Sequence, residues 1–175
     1  MDYNNNEVIS YLENLTPPRN ELVSQMEELA KEKAVPIMDL VGMETLLQLL
    51  RLHQPTKILE IGTAIGYSAI RMAQALPNAS IVTIERDEER YELACKYVKE
   101  ANLQDRITII FGDALEEHKQ IIEGATYDLL FVDAAKGQYE RFFNMYTKFL
   151  TQDGVIITDN VLFKGLVATD YSELQ

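Results

Sequence analysis

Two apolar runs in the second half of this 175-residue chain end on acids: "YDLLFVD" at Asp133, and "GVIITDN" at Asp159 and Asn160. Lys136 stands three residues after Asp133. Two carboxylates and an amide are hard oxygen donors, the kind of set Mg²⁺ takes before completing its shell with water and substrate oxygens. A lysine beside such a site, its pKa lowered by a nearby cation and partial burial, suits removal of a proton from a substrate hydroxyl. Each residue also has a plainer reading. Asp133 could cap a helix beginning near Gly137, Asp159-Asn160 could be a simple turn, and Lys136 could be an ordinary surface lysine. Two acid-ending runs with an added Asn favour the metal.

A second group lies earlier. "EIGTAIGYS" sets Gly62 and Gly66 in a G-x-x-x-G spacing, where glycines permit a tight turn and close approach to a ligand. Pyrophosphate binding expects G-x-G-x-x-G, and there is no P-loop Lys-Ser/Thr. The loop therefore suits a nucleoside without phosphates. Glu85 ends "SIVTIE", where an acid can accept both ribose hydroxyls. Taken alone, the glycines could merely make a turn and Glu85 could open the solvated run "ERDEER". Together with Asp113 they favour an adenosine site. The two histidines, His53 and His118, and the single Cys95 make no zinc cluster. His53 is expected at a helix end, His118 in solvent, and Cys95 on the buried face of a helix with Tyr91 and Val98.

The elements that position these residues follow from periodicity. Three helical stretches, "NNNEVISYLENL", "RNELVSQMEELAKEKAV" and "METLLQLLRLH", precede Lys57. From there strands alternate with helices: "KILEIG", "SIVTIE", "RITIIFG", "YDLLFVD" and "GVIITD" are five strands, and Asp87 is a plausible N-cap for the helix after the second. Such alternation predicts an α/β fold, a Rossmann-like, doubly wound, mostly parallel sheet with helices on both faces. Ligands bind outside the carboxyl ends of such strands, and those ends carry Glu60, Gly62, Glu85, Asp113, Asp133, Asp159 and Asn160. The acids belong to one rim. Residues 1–175 read as one domain, with a helical part over 1–55 and an α/β core over 56–175.

The formal net charge of −12 argues against a large basic surface for nucleic acid and favours a small-molecule partner. Apolar runs are far shorter than a membrane span, and the start lacks the pattern of a signal peptide, so no membrane partner is expected and cytoplasm is the expected compartment.

In order and spacing, "LEIGTAIGYSAIRMA", "TIERDEER", "GDAL", "FVDAAKGQY" and "GVIITDNVLF" resemble the cation-dependent class I O-methyltransferases, the catechol and caffeoyl-CoA type. The wording of "DAAKGQY" and "TDNVLFKGLV" is closer still to a bacterial branch that methylates 5-hydroxyuridine at the tRNA wobble position. The resemblance implies that Met38, Glu60, Gly62 and Ser68 line an S-adenosylmethionine site. Glu85 would hold the ribose, and Asp113 and Ala114 would lie along the adenine. Asp133, Asp159 and Asn160 would bind Mg²⁺, with Asp133 also near the methionine part of the cofactor, and Lys136 would be the catalytic base. It implies the tRNA anticodon loop as the leading partner and a homodimer as the assembly. The runner-up acceptor is a small catechol-like phenol. A nicotinamide dehydrogenase is disfavoured by the loop spacing, and a non-catalytic cofactor-binding fragment is the other alternative. Family members usually continue with a helix and two antiparallel strands, so the C-terminal strands are expected to be missing from this chain.

Overall fold

Helix ends in the first third are set by side chains that satisfy otherwise orphaned amides. The computed structural model describes residues 6–116, 118–124, 126–134 and 136–161. Helix α1 spans Asn6–Leu15, α2 Glu21–Glu32 and α3 Leu40–His53. Asn20 caps α2 by accepting from the Val23 amide (2.9 Å), and Asp39 caps α3 by accepting from the Gly42 amide (2.8 Å). Gln54, in the left-handed region, ends α3.

Five strands follow, β1 (Lys57–Ile61), β2 (Ser80–Glu85), β3 (Ile107–Phe111), β4 (Tyr127–Val132) and β5 (Leu150–Thr158). The intervening helices are α4 (Tyr67–Ala75), α5 (Glu88–Glu100), α6 (Lys119–Gly124) and α7 (Tyr139–Tyr146). All strand pairs among the described residues are parallel, in the order β3-β2-β1-β4-β5. This is the doubly wound arrangement expected from the alternation of elements. Asp87 does cap α5, accepting from the Arg90 amide at 3.0 Å.

Side chains alternate across the sheet, which divides the core in two. Ile58 of β1 and Leu129 and Phe131 of β4 pack with residues of α2 to α5, such as Met26, Leu47, Ile70 and Tyr97. Leu59, Ile61, Leu130 and Val132 face the other way, onto Ile121 of α6 and Phe142 and Tyr146 of α7. By the same alternation Glu60 falls on the α4 side.

Several expectations need correction. Cys95 is exposed; the buried residues of α5 are Ala94, Tyr97 and Val98, so the apolar face is rotated by one residue. Strand β5 begins at Leu150, with a register irregularity at the Tyr127/Leu129 pairing that lets it run through Gly154. Before it, α7 is flanked by 3₁₀ turns at Lys136–Gln138 and Thr147–Phe149. No described helix is long and apolar enough to cross a membrane.

The sheet is clamped at the end opposite the acidic rim. One oxygen of Asp128 accepts from the Thr56 amide (2.8 Å), the Thr56 hydroxyl (2.7 Å) and the Lys57 amide (3.0 Å), tying β4 to the start of β1. Burial pushes the Asp128 carboxyl up, but the hydrogen bonds from Thr56 and Lys57 and the nearby His53 outweigh it and leave the pKa below its ordinary 3.8. Its stabilising effect is therefore full above that value and is lost as pH falls through the depressed folded pKa. Asp128→Ala is expected to cost about 1–3 kcal/mol at pH 7 in urea unfolding. The gap to the parent chain should narrow below pH 3.8, where the parent carboxylate is itself being protonated.

Candidate active site

The rim begins where two backbones nearly touch. Gly62, just after β1, has φ +103°, and a Cβ there would run into the Asp133 carbonyl oxygen and lie 2.9 Å from its carbon. The Asp133 amide in turn donates to the Ile61 carbonyl at 3.0 Å. On the other side the Gly62 and Thr63 amides both donate to the Ile84 carbonyl, at 3.3 and 3.2 Å. The chain after β1 is thus held between the ends of β4 and β2, at the switch point of the sheet, before Gly66 (φ +84°) opens α4.

Ala64, also left-handed at φ 47°, donates its amide to Glu85 Oε2 at 2.8 Å. The other oxygen of Glu85 accepts from the amides of Arg86 (3.0 Å) and Asp87 (2.9 Å). Glu85 is therefore fixed rather than solvated. Asp113 Oδ1 accepts from the Leu115 amide at 2.9 Å. The ring of His118, Nε2 2.7 Å from the Asp113 carbonyl oxygen, packs against Gly112. His118 is half-buried, a correction to its expected place in solvent, because its ring lies against Gly112 and the carbonyl of Asp113, where the Asp113–Glu116 turn begins.

These strand ends enclose a cavity of about 510 Å³, within the range of about 300–1,000 Å³ usual for small-molecule sites. Gly62, Glu85, Asp113, Ala114, Asp133 and Asn160 all line it, with Ile84, Ala134 and Phe142 supplying apolar wall. Met38, Ser68, Gly62 and Asp133 meet at a small annex of about 20 Å³, bordered also by Thr63 and Tyr67. Glu60 lines neither space: it is fully buried beneath the loop, where Ser68 Oγ donates to it at 2.5 Å and Thr83 Oγ1 at 2.6 Å. Burial pushes its carboxyl up to about 7; the Ser68 and Thr83 hydrogen bonds oppose this, and the charges of Asp133 and Glu85 add to it.

Asp133 and Asp159 follow the paired residues Val132 and Thr158 on neighbouring strands; Asp133 and Asn160 line the cavity and Asp159 does not. The Asp159 carboxylate accepts from the Asn160 amide and from Asn160 Nδ2, both at 2.7 Å. The Tyr139 hydroxyl donates to the Asp159 carbonyl at 2.8 Å. Burial raises that phenol to about 12, and the charges of Asp133 and Asp159 push the same way. Among the described residues no three of His, Cys, Asp and Glu form a metal-type group; the oxygen-bearing side chains that follow these two strands are the carboxylates of Asp133 and Asp159 and the amide of Asn160. That set suits Mg²⁺, which keeps water and substrate oxygens in its shell. The backbone of Lys136 opens the 3₁₀ turn just beyond Asp133, and its side chain lies outside the described residues.

Sequence reasoning missed Ala64, Thr63, Thr83 and Tyr139. Thr83 carried a signal, being the polar residue within the apolar run of β2. Ala64 carried none, since its role rests on a backbone amide.

A family model described as O-methyltransferase matches residues 13–175. The chain belongs to the O-methyltransferase family. It is 36% identical over 130 residues to the catechol O-methyltransferase of Niastella koreensis, a match covering 72% of this chain and 59% of that protein. The chain thus spans less than two thirds of that relative's length. Among solved structures, the Bacillus cereus O-methyltransferase in complex with SAH superposes with a TM-score of 0.83 at 28% identity, covering 94% of this chain and 78% of the other. The O-methyltransferase TomG of Streptomyces achromogenes, in complex with SAM, gives 0.81 at 31% identity, covering 95% and 77%.

The O-methyltransferase loop has no room for a methyl group at Gly62. Gly62→Ala is expected to lower stability by roughly 1–3 kcal/mol in thermal or urea unfolding. Gly137→Ala, where nothing lies within 4 Å of the added carbon, should stay within about 0.5 kcal/mol of the parent.

Proposed function

We propose that this chain is an S-adenosylmethionine- and Mg²⁺-dependent O-methyltransferase whose acceptor carries two oxygens on neighbouring carbons, a catechol-like phenol first. The observation that carries the reading is one continuous cavity lined together by Gly62, Glu85, Asp113, Asp133 and Asn160. The SAM- and SAH-bound relatives and the catechol O-methyltransferase match support it.

Bound there, the sulfonium cofactor would supply an electrophilic methyl group, and Mg²⁺ would orient an acceptor hydroxyl and lower its pKa. The chain's own residues do the rest. Glu85, anchored by three amides, keeps lone pairs for the two ribose hydroxyls. Asp113 and Ala114 flank the adenine. Gly62 gives backbone access to the methionine part, with Met38, Ser68 and Asp133 beside it and Glu60 beneath. Asp133, Asp159 and Asn160 hold the cation, and Lys136 accepts the proton from the acceptor hydroxyl. Holding the oxygen and methyl donor in line supplies much of the rate.

The wobble base 5-hydroxyuridine is the second reading, favoured by the wording of "DAAKGQY" and by the neighbouring O5 and O4 of that base, and a splayed anticodon loop could present it. The net charge of −12 favours the phenol.

The deciding assay is mass spectrometry of methyl ethers after incubation with S-adenosylmethionine in Mg²⁺ or in EDTA. One arm contains a catechol and the other tRNA bearing 5-hydroxyuridine. Methylation of the catechol in Mg²⁺ alone is the expected result. Product in the tRNA arm only, falling steeply with salt, would replace the acceptor by the second reading. Asp133→Ala and Asp159→Ala should each abolish the Mg²⁺-dependent turnover. Lys136→Ala should lower kcat by roughly 10²–10⁴-fold and remove the rise of rate with pH that deprotonation of a base produces.

A further inference from the structure

Beneath the annex runs a closed chain of buried polar groups that the reaction so far does not use. Thr63 Oγ1 lies 2.6 Å from Thr83 Oγ1, Thr83 Oγ1 donates to Glu60 Oε2 at 2.6 Å, and Ser68 Oγ donates to Glu60 Oε1 at 2.5 Å. A hydroxyl has one proton. With that of Thr83 given to Glu60, Thr63 is the donor to Thr83. All four residues are buried, Glu60 and Thr83 completely. The two ends of the chain, Thr63 and Ser68, border the annex, and the middle does not. All three hydroxyls can thus donate towards one carboxylate, an arrangement that stabilises a negative charge on Glu60. Nothing among the described hydrogen bonds or ion pairs gives Glu60 a cationic partner. Its hydrogen-bond donors are Ser68 on α4 and Thr83 on β2, and the charges acting on it, Glu85 at the end of β2 and Asp133 after β4, are both negative.

A buried anion with neutral donors and negative neighbours is an electrostatic vacancy for a cation in the adjoining space. Resting on the proposed cofactor site, we infer that Thr83, backed by Thr63, is a specificity-determining positioning residue: by holding a negative charge on Glu60 under the annex, it makes the site prefer the sulfonium of S-adenosylmethionine to the neutral thioether left after methyl transfer. Substrate and product share the adenosine, the amino group and the carboxylate, so their affinity ratio isolates the sulfonium charge. Linkage fixes the size of the effect. A bound cation that lowers a carboxyl pKa by one unit is held about tenfold more tightly by the anion than by the acid. Glu60 sits near 7 in the free chain, so the preference is present above that pH and fades below it. Losing the Thr83 donor raises the carboxyl further and moves the transition upward.

Calorimetric titrations with S-adenosylmethionine and with S-adenosylhomocysteine, in EDTA from pH 6 to 9, test this. In the parent chain the affinity ratio should rise about tenfold across a transition near pH 7. Thr83→Val should move that transition to higher pH while leaving S-adenosylhomocysteine affinity within about twofold at pH 6, where the acid form prevails in both chains. Thr83→Ser, which keeps the donor, should restore the parent profile. A ratio independent of pH in the parent overturns the inference without any variant, and so does an unmoved transition in folded Thr83→Val. Failure of the parent chain to bind either compound would overturn the cofactor site itself, and this inference with it.

Discussion

Where β1 ends, its backbone comes so close to the carbonyl of Asp133 that only a glycine fits between them. That approach brings the loop after β1 into the crevice between β2 and β4, at the point where a doubly wound sheet turns its connections in opposite directions. Everything around the cavity is referred to this contact. The Gly62 and Thr63 amides are pinned on Ile84, Ala64 is thrown into a left-handed conformation that aims its amide at Glu85, and Asp133 is fixed through its own amide on Ile61. Any side chain at position 62 would part the strands that carry the acids.

The acids gathered on this rim are kept there by different means. Glu85 is held by three backbone amides, Glu60 by two hydroxyls, and Asp159 by Asn160. Arg86, 3.9 Å from Asp113, is largely exposed, so that pair contributes little. Neutral donors hold carboxylates in place while leaving their charge uncancelled, which is what a site for cationic ligands needs. Salt bridges would have supplied the same rigidity and removed the field.

Rigidity from cationic partners appears instead behind the site. Arg71 of α4 pairs with Glu44 of α3 and donates to the Tyr67 hydroxyl (3.1 Å), which donates to Glu27 of α2 (2.9 Å). Arg19 grips Glu27 with two nitrogens. This network ties α2 and α3 to α4, and Tyr67 reaches the wall of the annex beside Met38. Largely buried ion pairs of this kind contribute more to a unique arrangement than to net stability. Here the arrangement is the placing of the segment around Ile37 and Met38 over the loop.

The sequence by itself determined the order of elements, the parallel sheet and the rim. Those features rest on local periodicity and on the rule that ligands meet strand carboxyl ends, and both are written in nearest neighbours along the chain. It also placed Glu85, Asp113, Asp133 and Asn160 among the residues of one crevice, because each ends a strand or lies within two residues of its end. Tertiary structure alone decided the rest. Whether Cys95 or Ala94 faces the core depends on how α5 is rotated against the sheet. His118 is half-buried because a turn closes on it. Glu60 points beneath the loop while Glu85 opens on the cavity, although both are acids near strand ends. Both project from the same face of the sheet, since Glu60 pairs with Thr83 and Glu85 lies two residues beyond it; Glu60 sits within β1, under the loop that follows it, whereas Glu85 is the last residue of β2 and reaches the rim, so the same residue type becomes a buried charge in one place and a wall in the other.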